Sequence, residues 1–411
     1  METPQIIFWI IIAFIVFEFV FDKVLDFLNS KSWEQTKPDV VKDLYDDEKY
    51  EKAKNYAKEN GKVSLISGVI SFVTILVFLF LDGFAFVDDL ARSISDHYIL
   101  VTLIFFGILS LASSIISLPF GIYSTFVIEE KYGFNKTTPK IFVLDLIKGL
   151  LLSAVIGSVL LSALTFVYYQ TGSNFWWIAW IIVSGFSLFF AMFYTSLIVP
   201  IFNKLSPLEE GELRTSIENY AQKVGFPLNN IMVIDGSKRS TKANAFFSGL
   251  GSKKSIVLYD TLMEDNTNEE ITAILAHEVG HYKKKHIFQS IAISLLQTGV
   301  LFAIFGWLAG NENLAQALGA TESSFHISLV AFSLLYAPIS LVTGVLMNIF
   351  SRKNEFEADN YAKETYGAED LANALKKLAV NHLSNLTPHK IYTFVHYSHP
   401  PIAERLQNLL K

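Results

Sequence analysis

The sequence predicts an α-helical polytopic membrane protein with seven transmembrane helices and a small cytoplasmic α+β domain. Apolar residues make up 51% of the 411 residues and charged residues only 18%, whereas soluble domains normally contain about a quarter charged residues. Seven apolar stretches approach or exceed the length of about 20 residues that crosses a bilayer. Two sizeable polar segments in the second half of the chain supply the sequence for the α+β domain.

The seven predicted spans follow one another along the chain. They are Gln5–Val20, Val63–Leu81, Ile99–Tyr123, Gly149–Tyr168, Phe175–Ile198, Ile287–Ala309 and Ile327–Phe350. The fourth and fifth share one uncharged run, Gly149–Asn203, which would extend about 80 Å as a single helix and must therefore fold back. Thr171–Asn174 is typical of such a turn. We interpret the short first span, which contains Glu18, as an uncleaved anchor because no basic segment precedes it.

Basic residues indicate which ends of the spans face the cytoplasm. Nine lysines lie between the first and second spans, and the loop after the third span contains Lys131, Lys136 and Lys140, whereas the loop after the second span has only Arg92. Because basic loops stay on the cytoplasmic side, we expect an N-terminus outside or in the lumen and a cytoplasmic C-terminus. The chain then divides into spans one to five (1–203), a cytoplasmic insertion (204–286), spans six and seven (287–350) and a cytoplasmic C-terminal segment (351–411). Within the insertion, Ile231–Ile234 and Ser255–Tyr259 are typical of strands.

The pentapeptide that begins at His277 carries the clearest chemical signal. Thr267–Glu270 forms a capping box that starts a helix. On that helix His277 and His281 lie on one face, close enough to chelate one ion, and Glu278 between them can reach a metal-bound water. The pattern predicts a zinc site of the metalloprotease type. The chain has no cysteine, so the third protein ligand must be His, Asp or Glu.

Two acids after the seventh span are candidates to complete the site. Glu355 and Asp359 lie one helical turn apart, a spacing that suits one carboxylate on the metal and another that orients a histidine ligand, while Glu357 points elsewhere. If the helices continue without a break, His281 and Glu355 both stand roughly 7–9 Å beyond the membrane. No Pro or Gly interrupts either connection. His286 is interpreted as an interfacial side chain and not as a fourth ligand.

Further motifs extend from about Phe120 to the C-terminus. They are Glu129–Asn135, Asp235–Ser240, Asn244–Phe247, Ile256–Leu262, Ser398–Pro401 and Glu404–Arg405. Together with the zinc motif, they resemble the integral-membrane zinc metalloproteases of the CAAX prenyl protease 1 family. The resemblance implies that His277, His281 and Glu355 bind one Zn²⁺ ion. It also makes Glu278 the general base and Asp359 the residue that supports a ligand.

The same resemblance assigns three more residues to the active site. Asn244, His399 and Arg405 match family positions that contact the substrate or the reacting carbonyl. The family's usual His-Ser-Asn-Ala-Tyr-Phe is replaced here by Lys242–Phe247, Lys-Ala-Asn-Ala-Phe-Phe, so contacts made by that His and Tyr are not implied. The resemblance also implies seven helices around a water-filled chamber, with the zinc on the cytoplasmic side.

These features predict a membrane-embedded zinc endopeptidase that cleaves near the C-termini of lipid-modified or membrane-associated substrates. The substrate is expected to carry a prenylated or otherwise apolar C-terminus and to lie extended along the edge of the short sheet. General cleavage of misfolded membrane proteins is the main alternative. A protease that cuts inside the bilayer would place HExxH within a span, and a receptor or transporter gives no reason for the motif. The net charge of −6 excludes nucleic-acid binding by bulk electrostatics.

Overall fold

A computed structural model describes residues 2–228, 230–248 and 255–411, which form a mostly helical protein with one four-stranded sheet. The helices are α1 (Thr3–Lys31), α2 (Asp47–Phe80), α3 (Gly83–Ile94), α4 (Tyr98–Tyr123), α5 (Glu130–Tyr132), α6 (Pro139–Thr171), α7 (Phe175–Leu197), α8 (Val199–Phe202), α9 (Glu212–Lys223), α10 (Asp260–Asp265), α11 (Asn268–Lys283), α12 (His286–Leu308), α13 (Glu312–Ala317), α14 (Phe325–Thr365), α15 (Ala368–Asn381), α16 (Lys390–His396) and α17 (Ile402–Leu410). The strands are β1 (Leu205–Pro207), β2 (Asn230–Ile234), β3 (Ala245–Ser248) and β4 (Ser255–Tyr259).

Six helical segments within the described residues are long and apolar enough to cross a membrane. Five of them contain α1, α2, α4, α12 and α14, and the sixth is a 64-residue stretch, Pro139–Phe202, that contains α6, α7 and α8. In each segment at most 17% of the apolar window is buried inside the protein. Because apolar side chains on such helices are stable when they face lipid, the chain is an integral multi-pass membrane protein.

The longest apolar stretch is interrupted where the sequence predicts a turn. Helix α6 ends at Thr171, the residues Gly172–Asn174 form a 3₁₀ turn, and α7 begins at Phe175. Gly172 has a φ of 52°, in the left-handed region that glycine adopts without a steric penalty. The count of seven spans requires α6 and α7 to cross the membrane separately, and it stays a prediction.

The sheet has the strand order β1-β2-β4-β3, so β3 lies at an edge. Strands β2 and β4 are parallel, while β1 and β3 are antiparallel to their neighbours. The strands predicted at Ile231–Ile234 and Ser255–Tyr259 are confirmed as β2 and β4. Ile256 and Leu258 belong to the same core as α11, whereas Val257 on the opposite face packs with Val199 of α8. The sheet therefore lies between the helix that carries the zinc motif and the end of the α6–α8 stretch.

Helices α11 and α14 bring together the two predicted parts of the metal site. The predicted capping box is present, since the Thr267 side chain accepts from the Glu270 backbone N–H and the Glu270 carboxylate accepts from that of Thr267. Gly280 lies so close to α14 that a Cβ atom there would stand 2.9 Å from the Ala358 Cα atom. A glycine at this position is therefore needed for the two helices to approach each other.

The connections of these two helices differ from each other. Helix α14 continues from Phe325 to Thr365 without a break, as expected. The unbroken helix on which the expected depth of His281 depends is not present, because α11 ends at Lys283 and α12 begins at His286. Lys285 has a φ of 61°, a left-handed conformation that residues with a Cβ atom rarely adopt. Neither Pro nor Gly is needed for this break, which accompanies the side-chain contacts of His286 described below.

Candidate metal centre

Donor atoms from two helices converge at one point. His277 and His281 project from the same face of α11, and their Nε2 atoms lie 3.2 Å apart. Glu355 of α14 places Oε2 3.5 Å from Nε2 of His277 and Oε1 3.3 Å from Nε2 of His281. Each of the three residues offers one ligand atom, and these atoms all lie within 4.8 Å of one another. The structure thus brings together the three residues predicted to bind zinc.

The spacing of these donors is compatible with a bound metal ion. Metal–donor distances of about 2.0–2.2 Å separate the corners of a tetrahedron by about 3.3–3.6 Å. The two histidine Nε2 atoms lie 3.2 Å apart, and each lies 3.3–3.5 Å from one oxygen of the Glu355 carboxylate, a different oxygen for each ring. Oε2 of Glu355 is buried and accepts no hydrogen bond within the described residues, although Nη1 of Arg405 lies 3.4 Å away. A buried carboxylate oxygen needs compensation by hydrogen bonds or by a cation. Two imidazoles and this carboxylate therefore form a suitable ligand set for a metal ion.

A buried carboxylate orients His277. Nδ1 of His277 lies 2.8 Å from Oδ1 of Asp359, whose side chain is fully buried. Arg405 donates two hydrogen bonds to Asp359, from Nε to Oδ2 at 2.9 Å and from Nη2 to Oδ1 at 2.6 Å. A proton on Nδ1 of His277 that points at Asp359 leaves the Nε2 lone pair free for a metal. This geometry supports the role that the resemblance implies for Asp359.

His281 has a different partner, which the sequence did not reveal. Its Nδ1 atom lies 3.0 Å from Nδ1 of His286, and Nε2 of His286 lies 3.1 Å from Oε2 of Glu357. His286 is buried, so its interpretation as an interfacial side chain is wrong. Residues five apart in a continuous helix differ by about 140° in direction. The spacing of His281 and His286 in the sequence therefore does not predict that their rings meet. That prediction would require knowledge of the turn before α12.

The surroundings of the motif shift the pKa of two of its residues. Burial raises the pKa of the Glu278 carboxyl, while His277 and His281 partly oppose that shift. A raised pKa suits a carboxylate that must accept and later release a proton. Burial lowers the pKa of His277, but Asp359 and Glu355 outweigh it and raise the pKa to about 9 in the metal-free protein. A metal ion therefore competes with a proton for this ring.

Two of the residues predicted to contact the substrate border the donor group. Nε2 of His399 lies 3.4 Å from Oε1 of Glu355, and the His399 side chain is 65% exposed, so an incoming molecule can reach it. The Arg405 side chain is only 11% exposed and lies against Asp359 and Glu355. This geometry supports a positioning role for Arg405, and its contact with substrate stays a prediction.

The third of these residues, Asn244, immediately precedes the edge strand β3. Its side-chain oxygen accepts a hydrogen bond of 2.9 Å from the backbone N–H of Ala245, and its carbonyl accepts one from Tyr259. Asn244 also lines an open groove of about 460 Å³ with Phe246 and Tyr259. Side chains of β2, β3 and β4 line this groove together with α7 and α8, so it lies on one face of the sheet. The contact of Asn244 with substrate stays a prediction.

A multi-pass membrane chain with an HExxH helix, and with a carboxylate from a second helix beside it, has the features of an integral-membrane metallopeptidase. Comparison with known families supports this class. Residues 27–204 match the family described as "CAAX prenyl protease N-terminal, five membrane helices", and residues 207–411 match "Peptidase family M48". The chain therefore belongs to peptidase family M48 and is a metalloendopeptidase with a metal cofactor.

Relatives of similar length confirm the resemblance drawn from the motifs. CAAX prenyl protease 1 of Saccharomyces cerevisiae is 35% identical, over 100% of this chain and 96% of the yeast protein. The CAAX prenyl protease 1 homolog of Homo sapiens is 32% identical, over 90% of this chain and 88% of the human protein. The crystal structure of S. mikatae Ste24p matches with a TM-score of 0.91 and 36% identity, over 98% of both chains.

Proposed function

We propose that the chain is a zinc endopeptidase that cleaves peptide bonds near the C-termini of prenylated or otherwise apolar, membrane-associated substrates. The observation that carries the proposal is the convergence of the donor atoms of His277, His281 and Glu355, which all lie within 4.8 Å of one another. Glu355 lies on α14, which is also one of the helices able to cross a membrane. A lipid attached to the substrate can then remain near the membrane helices while the peptide reaches the metal site.

The residues around the donors have complementary roles in the proposed reaction. Bound zinc would supply polarisation of the scissile carbonyl and a lowered pKa for a water molecule. Glu278 accepts the proton of the attacking water and later delivers it to the leaving amine. His399 and Asn244 hold the carbonyl oxygen as negative charge develops on it. Arg405 acts through Asp359, which it keeps ionised and in place.

We also propose the membrane topology that the sequence favours. Seven transmembrane helices result if α6 and α7 each cross the membrane, and the 3₁₀ turn between them supports this count. The lysine-rich loops support an N-terminus outside or in the lumen, with the catalytic domain and C-terminus in the cytoplasm. The catalytic domain is then built from 204–286 and 351–411, and the membrane part from 1–203 and 287–350.

The substrate peptide is proposed to pair with β3. In the described sheet, β3 is hydrogen-bonded to β4 on one side and forms an edge on the other. A peptide strand could therefore add to that edge. Pairing through main-chain groups tolerates varied side chains, and Asn244 at the start of β3 would meet the peptide near its scissile bond.

Cleavage of matched peptides tests this function. Purified protein is incubated with a prenylated peptide and with its unprenylated counterpart, and the product ends are mapped by mass spectrometry. We expect zinc-dependent cleavage near the C-terminus and a higher kcat/KM for the prenylated peptide, because each buried CH₂ group contributes about 0.8 kcal/mol. Absence of zinc-dependent cleavage of both peptides would contradict the proposal.

General cleavage of misfolded membrane proteins is the second candidate. The edge strand β3 favours it, because main-chain pairing does not require a lipid on the substrate. Equal kcat/KM values for the two peptides would support this candidate and exclude lipid recognition at the site.

A further inference from the structure

The two histidines of the metal site are held by different groups. Asp359 contacts His277, whereas His286 contacts His281. His286 and Glu357 extend from the Nδ1 side of His281, with separations of 3.0 Å and 3.1 Å between successive partners. We propose that His286 and Glu357 form a positioning pair that fixes the tautomer and orientation of His281. This inference rests on the proposed zinc site.

The donors and acceptors along this chain of groups fit one arrangement of protons. When Nε2 of His281 faces a metal, the imidazole proton of His281 lies on its Nδ1 atom. Nδ1 then donates a hydrogen bond to Nδ1 of His286. His286 then carries its own proton on Nε2, which donates to the Glu357 carboxylate. Every N–H therefore points at an acceptor, from the metal site to the carboxylate. A carboxylate behind a metal-binding histidine usually fixes it directly, and here a second histidine extends the distance that is bridged.

The break between α11 and α12 creates the contact. In a continuous helix the side chains of His281 and His286 would diverge by about 140°. The left-handed Lys285, with a φ of 61°, turns the chain so that His286 faces back towards α11. This conformation is unfavourable for a residue with a Cβ atom, and such conformations persist where surrounding contacts impose them. His286 is only 3% exposed, although it stands at the first position of a helix whose apolar residues face lipid.

Two substitutions at position 286 separate positioning from packing. His286→Phe keeps a ring but removes the acceptor for His281, whereas His286→Asn places its side-chain oxygen near the position of Nδ1 and keeps an acceptor. Zinc affinity of the full-length, metal-free protein is measured by competition with a chromophoric chelator, and the ligand geometry by the absorption spectrum of the Co²⁺-loaded protein. We expect about 10- to 100-fold weaker zinc binding and an altered Co²⁺ spectrum for His286→Phe. His286→Asn should restore most of the affinity and the wild-type spectrum.

Glu357 provides a second test that does not disturb a buried position. Its side chain is 37% exposed, so Glu357→Ala should fold normally. Glu364→Ala is the matched control, because Glu364 is exposed on the same helix two turns further along. We expect Glu357→Ala to weaken zinc binding less than His286→Phe, since water can accept the proton of His286, and Glu364→Ala to leave it unchanged.

The outcomes distinguish this inference from the proposed function. Wild-type zinc affinity and Co²⁺ spectra in both His286→Phe and Glu357→Ala would overturn the positioning role while leaving the zinc site intact. Equal losses in His286→Phe and His286→Asn would also overturn it, because the position would then matter only for packing. If His286→Phe fails to fold, Glu357→Ala measured against Glu364→Ala decides the question. A wild-type protein that binds no zinc would instead contradict the proposed function.

Discussion

Helix α14 contributes to a His–Asp–Arg cluster near each of its ends, about 50 Å apart along the helix. The metal-end cluster consists of His277, Asp359 and Arg405, and the far-end cluster consists of His326, Asp88 and Arg92. The distance between the histidine nitrogen and the aspartate oxygen is 2.8 Å in the first cluster and 2.7 Å in the second. In both clusters the histidine and the aspartate are buried, and an arginine binds the carboxylate.

The second nitrogen of each histidine ring distinguishes the two clusters. Nε2 of His277 faces the other two metal donors. Nδ1 of His326 lies 3.2 Å from the hydroxyl of Thr102, and that hydroxyl donates to the backbone carbonyl of Tyr98. Protein groups therefore occupy both nitrogens of His326, and the far-end cluster offers no position to a metal. A buried His–Asp–Arg cluster holds helices together, and it becomes a metal site only where one ring nitrogen is left for the ion.

The largest expected effect comes from replacing the histidine of each cluster, His277 at the metal end and His326 at the far end. His277→Ala should lose stoichiometric zinc and all cleavage, because two donors remain of three. His326→Ala should keep its zinc but lower the free energy of unfolding by about 3–5 kcal/mol, because Asp88 remains buried with one partner fewer. Metal analysis and thermal unfolding of the two proteins measure this contrast. Loss of zinc from a folded His326→Ala protein would show that the two ends of α14 are coupled.

A smaller effect is expected when the proton acceptor at the metal end is replaced by its amide. Glu278→Gln should lower kcat by about 10²- to 10⁴-fold, since an amide cannot accept the proton of the attacking water. Zinc content and thermal stability should remain those of the wild type. Glu269→Gln, exposed on the same helix, is the control for loss of one negative charge. Turnover by Glu278→Gln at the wild-type rate would exclude Glu278 as the general base.

The metal end could largely be predicted because its signals are local. The i, i+4 spacing of His277 and His281 and that of Glu355 and Asp359 place each pair on one helical face whatever the rest of the fold does. The approach of the two helices depends on Gly280, which lies against α14. No local sequence pattern predicts that contact.

The far-end cluster could not be predicted from the sequence. Asp88, Thr102 and His326 lie on three helices, α3, α4 and α14, and more than 200 residues of chain separate the first two from the third. Each residue alone resembles an ordinary polar side chain near the end of a span. The pair formed by His286 and Glu357 cannot be predicted for a related reason. It depends on the left-handed conformation of Lys285, and a lysine gives none of the sequence signals, glycine or proline, that usually mark a turn.

Neutralising the aspartate of each cluster should have a smaller effect than removing the histidine. Asp359→Asn leaves an acceptor for His277 but removes the charge that binds Arg405, and we expect about 10- to 100-fold weaker zinc binding. Asp88→Asn should leave zinc affinity unchanged and lower only the thermal stability. Chelator competition and thermal unfolding on the same preparations measure both quantities. Equal zinc affinities in the two variants would contradict the different roles inferred for the clusters.

A further expected effect, of similar size, is a dependence of zinc binding on pH that arises at the metal end alone. In the metal-free protein the pKa of His277 is about 9, so near neutral pH the ring must lose a proton before Nε2 can bind an ion. Zinc affinity should therefore rise about tenfold per pH unit from about pH 7 towards pH 9, and then level off. Calorimetry in buffers of different ionisation enthalpy should detect about one proton released for each zinc ion bound at pH 7.

The stability of the metal-free protein should change with pH in the opposite direction. Because the pKa of His277 is higher in the folded protein than in the unfolded chain, its contribution to stability is fully present below the ordinary histidine pKa and is lost as pH rises through about 9. At the far end, burial raises the pKa of the Asp88 carboxyl, but His326 and Arg92 outweigh it and hold the pKa below its usual range. That contribution is present at neutral pH and is lost only on strong acidification.

Asp359→Asn should flatten the pH dependence of zinc binding, because it removes a carboxylate that raises the pKa of His277, whereas Asp88→Asn should leave it unchanged. An identical pH dependence in wild type and Asp359→Asn would show that another group supplies the proton released on zinc binding.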